Sequence, residues 1–247
     1  MDYEKLSIEI SNWIKRQVED ANAKGVVFGL SGGVDSAVVA VLCKNAFPQE
    51  HLALILPCYS TKKDLDDAEL VVKKFSLNYK LVDLKEVFLS FGKILDFDPQ
   101  SKELAVVNIK PRLRMLTLYY FANKLNYLVV GTGNKSELTM GYFTKYGDGG
   151  VDIIPIGDLT KTEVYKLAEV LRIPKRIIKK PPSAGLWVGQ TDEDEMGIKY
   201  KQLDKIISAM EENKSLSKFN KNIVDKVLLK KKQNLHKLLP PKVFKIK

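Results

Sequence analysis

The sequence predicts an α/β fold in which helices flank a doubly wound parallel sheet and a helical tail forms the C-terminal part. Short β-branched runs alternate with segments of helical spacing, which is the pattern of successive β-α units. Glycine-rich or polar loops follow three of the predicted strands. The 247 residues, with 45% hydrophobic content, are enough for one sizeable core.

The predicted elements begin with residues 4–22, whose apolar side chains recur at helical spacing and indicate an amphipathic helix. Strands and helices then alternate. The loops after parallel strands lie at one edge of the sheet, where ligands bind in such folds. The predicted strands are 26–30, 51–57, 79–83 and 127–131, and the predicted helices are 34–45, 64–76, 84–94 and 102–124.

The second half of the chain is predicted to be mainly helical. Residues 152–156 are predicted to form a further short strand. Thr160 and Glu163 stand at capping-box spacing, which predicts that a helix starts there. Further helices are expected near 199–212 and 220–239, and the parts of a single 1–247 domain are an N-terminal helix (1–25), an α/β core (26–160) and a helical C-terminal part (161–247).

The net charge of +10 lies entirely in the segment from Lys199 onward, which carries 14 lysines and 4 acidic residues. These lysines form a solvated face or attract an anionic substrate. A tRNA-binding tail is the less favoured alternative, because only three aromatic residues, Tyr200, Phe219 and Phe244, stand among the 14 lysines.

The remaining composition excludes several classes of protein. Cys43 and Cys58 match neither a disulfide framework nor a CxxC metal site. No apolar run has the length of a membrane span, and the charged N-terminus is unlike a signal peptide. We therefore expect a cytoplasmic protein with no membrane or nucleic-acid partner.

The most informative segment is Gly29-Leu30-Ser31-Gly32-Gly33-Val34-Asp35-Ser36, which joins an apolar run to a helical run. Glycines let backbone N–H groups approach an anion, the serines add hydroxyl donors, and the helix dipole favours negative charge. A Walker A loop has lysine where Asp35 stands here. An acid beside phosphates suits a Mg²⁺ ligand, so the segment predicts a nucleotide-binding loop rather than a turn that binds nothing.

Residues 31–36 resemble the pyrophosphate loop of the N-type ATP pyrophosphatases, a superfamily with a Rossmann-like, adenine nucleotide alpha hydrolase fold. A second block, residues 131–137 and 141–161, resembles the NAD synthetases within it. Residues 108–115 and the pair His236-Lys237 also fit that pattern. Glutamine-dependent members carry an additional N-terminal amidase domain. The resemblance here begins near residue 1, so we expect no such domain, and the resemblance implies the ammonia-dependent type.

The resemblance implies a ligase of NAD biosynthesis. In that family the nicotinate carboxylate of deamido-NAD attacks the α-phosphate of ATP, pyrophosphate leaves, and ammonia displaces AMP from the adenylate to give NAD. It implies Mg²⁺ as cofactor, ATP as co-substrate and a homodimer. The predicted N-terminal helix and the 102–124 helix are the candidate interface elements, although their apolar residues equally suit a monomer core.

The resemblance also assigns the site residues. Asp35 and Glu137 follow two predicted strands that end at one edge of the sheet, so we expect their carboxylates to lie close together and to bind Mg²⁺ with phosphate oxygens. Lys161 is the implied ATP phosphate contact, and Asp148 of the glycine-rich loop is expected to orient or deprotonate the incoming ammonium; these two are the candidate catalytic residues. Each has a plainer alternative as an ordinary helix or loop charge. The implied ATP contacts are Gly29, Leu30, Ser31, Gly32, Gly33, Val34, Asp35, Ser36, Thr132, Lys161 and Ser183, and the implied deamido-NAD contacts are Arg112, Lys145, Asp152, His236 and Lys237.

One departure and two rival functions remain. Pro111 stands where many relatives have alanine, so the helix that carries Arg112 is expected to start or kink there. Glycines make segments 143–150 and 183–195 candidate lids. The rival functions are an enzyme that adenylates a tRNA base and a nucleotide-binding protein without catalysis.

Overall fold

The computed structural model describes residues 1–187 and 189–246. Within them, the strands form one sheet in the order β3-β2-β1-β4, and every neighbouring pair is parallel. The α/β class predicted from the sequence is confirmed. The strands are β1 (Gly25–Gly29), β2 (His51–Ile55), β3 (Tyr79–Leu81) and β4 (Tyr127–Val130).

The helices of the described residues account for most of the remaining chain. Those of the first half are α1 (Tyr3–Asp20), α2 (Val34–Ala46), α3 (Lys62–Phe75), α4 (Lys85–Leu95), α5 (Leu104–Val107) and α6 (Ile109–Leu125). Those of the second half are α7 (Lys135–Met140), α8 (Lys161–Val170), α9 (Lys175–Ile178), α10 (Asp192–Met196), α11 (Tyr200–Glu211) and α12 (Lys221–Leu238).

Helices cover both faces of the sheet because side chains alternate along each strand. Val26 and Phe28 of β1 face a core built with α1, α2, α8 and α9, whereas Val27 faces the opposite core built with α4 and α6. A third apolar cluster joins α11 and α12 to Met140 of α7. The sheet is therefore doubly wound, and the C-terminal helices pack beside it.

The strand order determines where the sheet can bind a ligand. The chain moves outward from β1 to β2 and β3 and then returns to pair β4 with β1, so the winding direction reverses between β1 and β4. A crevice opens at the carboxyl ends of strands where such a reversal occurs. The glycine-rich loop after β1 and the loop after β4 meet at this crevice.

The predicted helix at 102–124 is interrupted. Helix α5 ends at Val107 and α6 begins at Ile109, with Asn108 between them. Pro111 lies in the first turn of α6, where its missing N–H would have no intrahelical acceptor in any case. The expectation that the helix carrying Arg112 starts near Pro111 is confirmed.

The predicted strand at 152–156 is wrong, because only Ile153 forms a bridge, to Val130. The Asp152 carboxylate accepts a hydrogen bond from the Val129 N–H at 2.7 Å, so a side chain takes the donor that a neighbouring strand would use. Pro155 follows and has no N–H to donate. Elsewhere the predicted and observed helices overlap, and no described helix is both long and apolar enough to cross a membrane.

Candidate active site

The glycine-rich loop after β1 is held by its own serines. The Ser36 hydroxyl accepts from the Ser31 N–H at 3.2 Å and donates to the Gly33 carbonyl at 3.0 Å. Gly32 has φ +74°, and a Cβ there would lie 2.7 Å from the Asp64 carbonyl oxygen of α3. The loop therefore needs glycine at 32 for both its backbone conformation and its packing.

Three charged side chains from three helices meet beside this loop. The Lys161 ammonium lies 2.6 Å from Asp35 Oδ2 and 3.0 Å from Glu137 Oε1. The Lys161 side chain is only 1% exposed, although it belongs to the first residue of α8. Asp35 and Glu137 follow the adjacent strands β1 and β4, so the sequence prediction that their loops lie together agrees with the structure.

Burial and mutual charge shift the pKa values of this cluster. Desolvation raises the pKa of Glu137 to about 7, with Asp35 adding to the rise and Lys161 opposing it. Desolvation alone would lower the pKa of Lys161, but Asp35 and Glu137 outweigh it and raise the value above that of a free lysine. Lys161 therefore remains charged, and its charge favours the ionised form of Glu137.

Helix capping and a buried acid fix the backbone around the cluster. Asn134 and Glu137 form a capping box at the start of α7, and the Asn134 amide donates to Asp35 at 2.9 Å. Asp204 of α11 accepts from the Ser136 hydroxyl at 2.5 Å and from the Thr162 N–H at 2.8 Å. One carboxylate thus joins the N-termini of the helices that carry Glu137 and Lys161.

Tyr200 and Asp192 complete the surroundings. The Tyr200 hydroxyl donates to Asp192 at 3.0 Å and lies 3.4 Å from Glu137, and the Lys161 ammonium lies 4.9 Å from the centre of the Tyr200 ring. Burial is the main cause that raises the pKa values of both Tyr200 and Asp192. Four residues around the cluster had no site role predicted from the sequence: Asn134, Asp192, Tyr200 and Asp204. Among them only Asn134 has a local signal, its N-x-x-E spacing to Glu137.

A pocket opens beyond the end of β4. Thr132, Glu137 and Asp148 all line it, together with Phe143 and Ile154. The Asp148 Oδ1 accepts a hydrogen bond from the Thr144 N–H at 2.9 Å. Desolvation by its neighbours raises the pKa of Asp148, while that hydrogen bond and Arg114 oppose the rise. Residues assigned to ATP, to the metal and to catalysis therefore share one pocket.

Three of the residues assigned to deamido-NAD lie together where α12 meets the loop after α7. The Lys145 ammonium donates to the His236 carbonyl at 2.7 Å, and the Lys237 ammonium donates to the Gly141 and Phe143 carbonyls at 2.7 and 3.0 Å. Asp152 instead binds the Tyr119 hydroxyl at 2.8 Å at the edge of β4. Arg112 is exposed on α6 and forms no hydrogen bond or ion pair within the described residues.

Ser183 lies in the exposed loop between α9 and α10. Its hydroxyl accepts from the Gly185 N–H at 3.1 Å, and the Pro182 carbonyl accepts from the Asp192 N–H at 3.0 Å. This second bond ties the loop to the charged cluster. Val188, in the candidate lid 183–195, lies outside the described residues. In the other candidate lid, 143–150, the Gly147 and Gly149 N–H groups donate turn hydrogen bonds to the Thr144 carbonyl.

Comparisons with known proteins agree on one family. The family model NAD synthase matches residues 6–241. An NH(3)-dependent NAD(+) synthetase from Carboxydothermus hydrogenoformans is 49% identical over 234 residues, covering 94% of this chain and 96% of the relative.

Solved structures of similar proteins cover nearly all of the chain. An NH3-dependent NAD synthetase from Campylobacter jejuni has a TM-score of 0.84 at 33% identity, covering 99% of this chain and 100% of its own. An NMN synthetase from Francisella tularensis has a TM-score of 0.90 at 33% identity, with 100% of both chains covered.

Proposed function

The chain belongs to the NAD synthase family, and from this membership we infer that it is a ligase that amidates deamido-NAD with ammonia at the expense of ATP. The observation that supports this reaction most strongly is the Asp35, Glu137 and Lys161 cluster beside a glycine-rich loop. Fixed charges at a site where negative charge develops lower the barrier to its formation.

The reaction consists of two substitutions. A carboxylate oxygen of the nicotinate ring attacks the α-phosphorus of ATP, and the bond to the β-phosphate oxygen breaks, so pyrophosphate leaves. Ammonia then attacks the carbonyl carbon of the adenylate, loses a proton, and AMP leaves with the former carboxylate oxygen. The N–H groups and hydroxyls of residues 31–36, at the start of α2, are proposed to bind the leaving pyrophosphate.

Asp35 and Glu137 have the chemistry of Mg²⁺ ligands. Mg²⁺ binds carboxylate oxygens together with substrate phosphates and water. Both carboxylates already contact one cationic atom, the Lys161 nitrogen, at 2.6 and 3.0 Å, so both can reach a common cation. No third acid, His or Cys converges with them among the described residues, which leaves phosphate and water as the other ligands. When bound, Mg²⁺ would neutralise charge on the leaving pyrophosphate.

Asp148 is proposed to take a proton from the incoming ammonium. Asp148→Asn is expected to leave adenylation intact and to slow NAD formation by roughly 10²–10⁴-fold, the usual contribution of a general base. ATP–pyrophosphate exchange and NAD formation are measured in parallel. Asp158→Asn is the control, because Asp158 is 99% exposed and, among the described residues, pairs only with Lys135. Equal loss of both activities in Asp148→Asn would exclude a role confined to amidation.

The assay of function combines ATP, Mg²⁺, ammonium and deamido-NAD and measures AMP and NAD. We expect one AMP for each NAD. Nicotinate mononucleotide replaces deamido-NAD in a second arm, because one similar structure is an NMN synthetase. AMP formed only with nicotinate mononucleotide would identify that compound as the substrate in place of deamido-NAD. AMP formed only with tRNA would favour an enzyme that adenylates a tRNA base.

We further propose a cytoplasmic homodimer of the single 1–247 domain. Helix α6 carries Leu116 and Tyr120 with exposed fractions of 63% and 58%, which supports it as an interface element. The apolar residues Ile10, Ile14 and Val18 of α1 are buried within the monomer instead. Of the two candidate helices, α6 is therefore the better supported.

A further inference from the structure

Lys180 joins two loops that face the proposed ATP site. It lies two residues after the end of α9 and three residues before Ser183. Its ammonium donates to Asp64 Oδ1 at 2.7 Å and to the Gly32 carbonyl at 3.4 Å. The side chain is 16% exposed. The chain between α9 and Ser183 is thus attached directly to the glycine-rich loop.

The same ammonium balances charge behind that loop. It lies 3.0 Å from Asp67 Oδ2, and Asp67 is fully buried. Arg176 supplies a second cation, with its Nε 2.6 Å from Asp67 Oδ1. Burial would raise the pKa of Asp64, but hydrogen bonds from Lys180 and Thr61 lower it overall. Two carboxylates of α3 are therefore matched by two cations, of which Lys180 alone contacts the loop.

The direction of the Gly32 carbonyl matters for anion binding. A loop that binds phosphate turns its N–H groups toward the anion and its carbonyl oxygens away from it. The Gly32 carbonyl points at Lys180, and its left-handed φ of +74° places the residue tightly against α3. A cation that holds this carbonyl stabilises the conformation in which the neighbouring N–H groups remain free for phosphate.

We propose that Lys180 is a positioning residue for pyrophosphate, holding the glycine-rich loop in its anion-binding conformation and cancelling the charge of Asp64 and Asp67 behind it. This inference rests on the proposed function. Lys180 acts through the loop, so its loss weakens the binding of ATP and pyrophosphate and leaves that of deamido-NAD nearly unchanged.

The test compares Lys180→Gln with the matched variant Arg176→Gln. Both remove a cation from Asp67, but only Lys180→Gln also releases the Asp64 carboxylate and the Gly32 carbonyl. Lys180→Gln is expected to raise the KM for ATP and the inhibition constant of pyrophosphate roughly tenfold, as for loss of a charged hydrogen bond. Arg176→Gln is expected to change both constants less than about twofold, although it also lowers the melting temperature.

A double variant keeps the test informative if Lys180→Gln is poorly stable. Lys180→Gln with Asp64→Asn restores the charge balance, because Asp67 keeps its pair with Arg176, so its melting temperature is expected to recover while the pyrophosphate constant stays raised. Equal changes in both constants for Lys180→Gln and Arg176→Gln would overturn the inference, as would recovery of pyrophosphate binding in the double variant. Calorimetry measures the affinity of each variant for pyrophosphate and therefore reports the effect of Lys180 without catalysis. If the proposed function were wrong, the unaltered chain would form no NAD.

Discussion

Lys161→Met is expected to lower the free energy of unfolding by about 3–5 kcal/mol near neutral pH, because it leaves two partly buried carboxylates without their cation. Asp35 and Glu137 would then face each other with side chains only 16% exposed. Activity is expected to be lost as well, since the same ammonium is the proposed phosphate contact. Urea unfolding and the rate of AMP formation measure the two effects.

The loss of stability should depend on pH in a defined direction. The folded pKa of Glu137 is raised from 4.5 to about 7, so its ionisation opposes folding as the pH rises through that interval. Without Lys161 the pKa of Glu137 rises further, because an attracting charge is gone. The variant should therefore be closest to the unaltered chain at about pH 5 and furthest from it at about pH 8.

Lys135→Met is the control for Lys161→Met. Lys135 also begins a helix and pairs with two acids, but Asp158 and Glu211 are 99% and 55% exposed. Its replacement is expected to cost about 1 kcal/mol or less, as for exposed ion pairs. Similar losses in the two variants, or a Lys161→Met loss that does not change with pH, would contradict the buried-cluster interpretation.

Gly32→Ala is the second large effect. A Cβ at this position would lie 2.7 Å from the Asp64 carbonyl oxygen and 2.8 Å from Asp67 Cβ, in a backbone with φ +74°. Left-handed strain and overpacking together predict a loss of about 2–5 kcal/mol in the free energy of unfolding. The shifted loop should also bind ATP poorly, which calorimetry with ATP measures.

Two other glycines separate the causes of that loss. Gly185 has φ +62° with no described atom within 4 Å of an added Cβ, so Gly185→Ala tests strain alone. Gly33 has φ −91°, and the only described atom near an added Cβ is the Ser31 hydroxyl oxygen at 3.4 Å, so Gly33→Ala should barely affect stability. A Gly32→Ala loss no larger than that of Gly185→Ala would show that contact with α3 does not matter.

The sequence predicts those parts of the site that follow from the order of the strands. Asp35 and Glu137 could be placed together because each follows a strand, and parallel strands end at one edge. The start of α6 near Pro111 could be expected from that proline, whereas the absence of a strand at 152–156 depends on one side-chain hydrogen bond from Val129 to Asp152, which spacing does not reveal.

Other site residues could not be predicted because they come from distant segments. Asp204 contacts Ser136 across 68 positions, and Lys180 contacts Gly32 across 148. Their neighbours in sequence give no hint of such contacts. The basic residue Lys161 carried a partial signal, since lysine at a helix start indicates a nearby anion; two of its anions are carboxylates of this chain.

Transfer of oxygen-18 from labelled substrate tests the adenylation reaction most directly. Deamido-NAD labelled in the nicotinate carboxylate is incubated with the protein, ATP, Mg²⁺ and ammonium, and the products are analysed by mass spectrometry. Attack of the carboxylate on the α-phosphorus predicts a single labelled oxygen in AMP and an unlabelled pyrophosphate. Unlabelled AMP, or label in phosphate released with ADP, would contradict an adenylated intermediate.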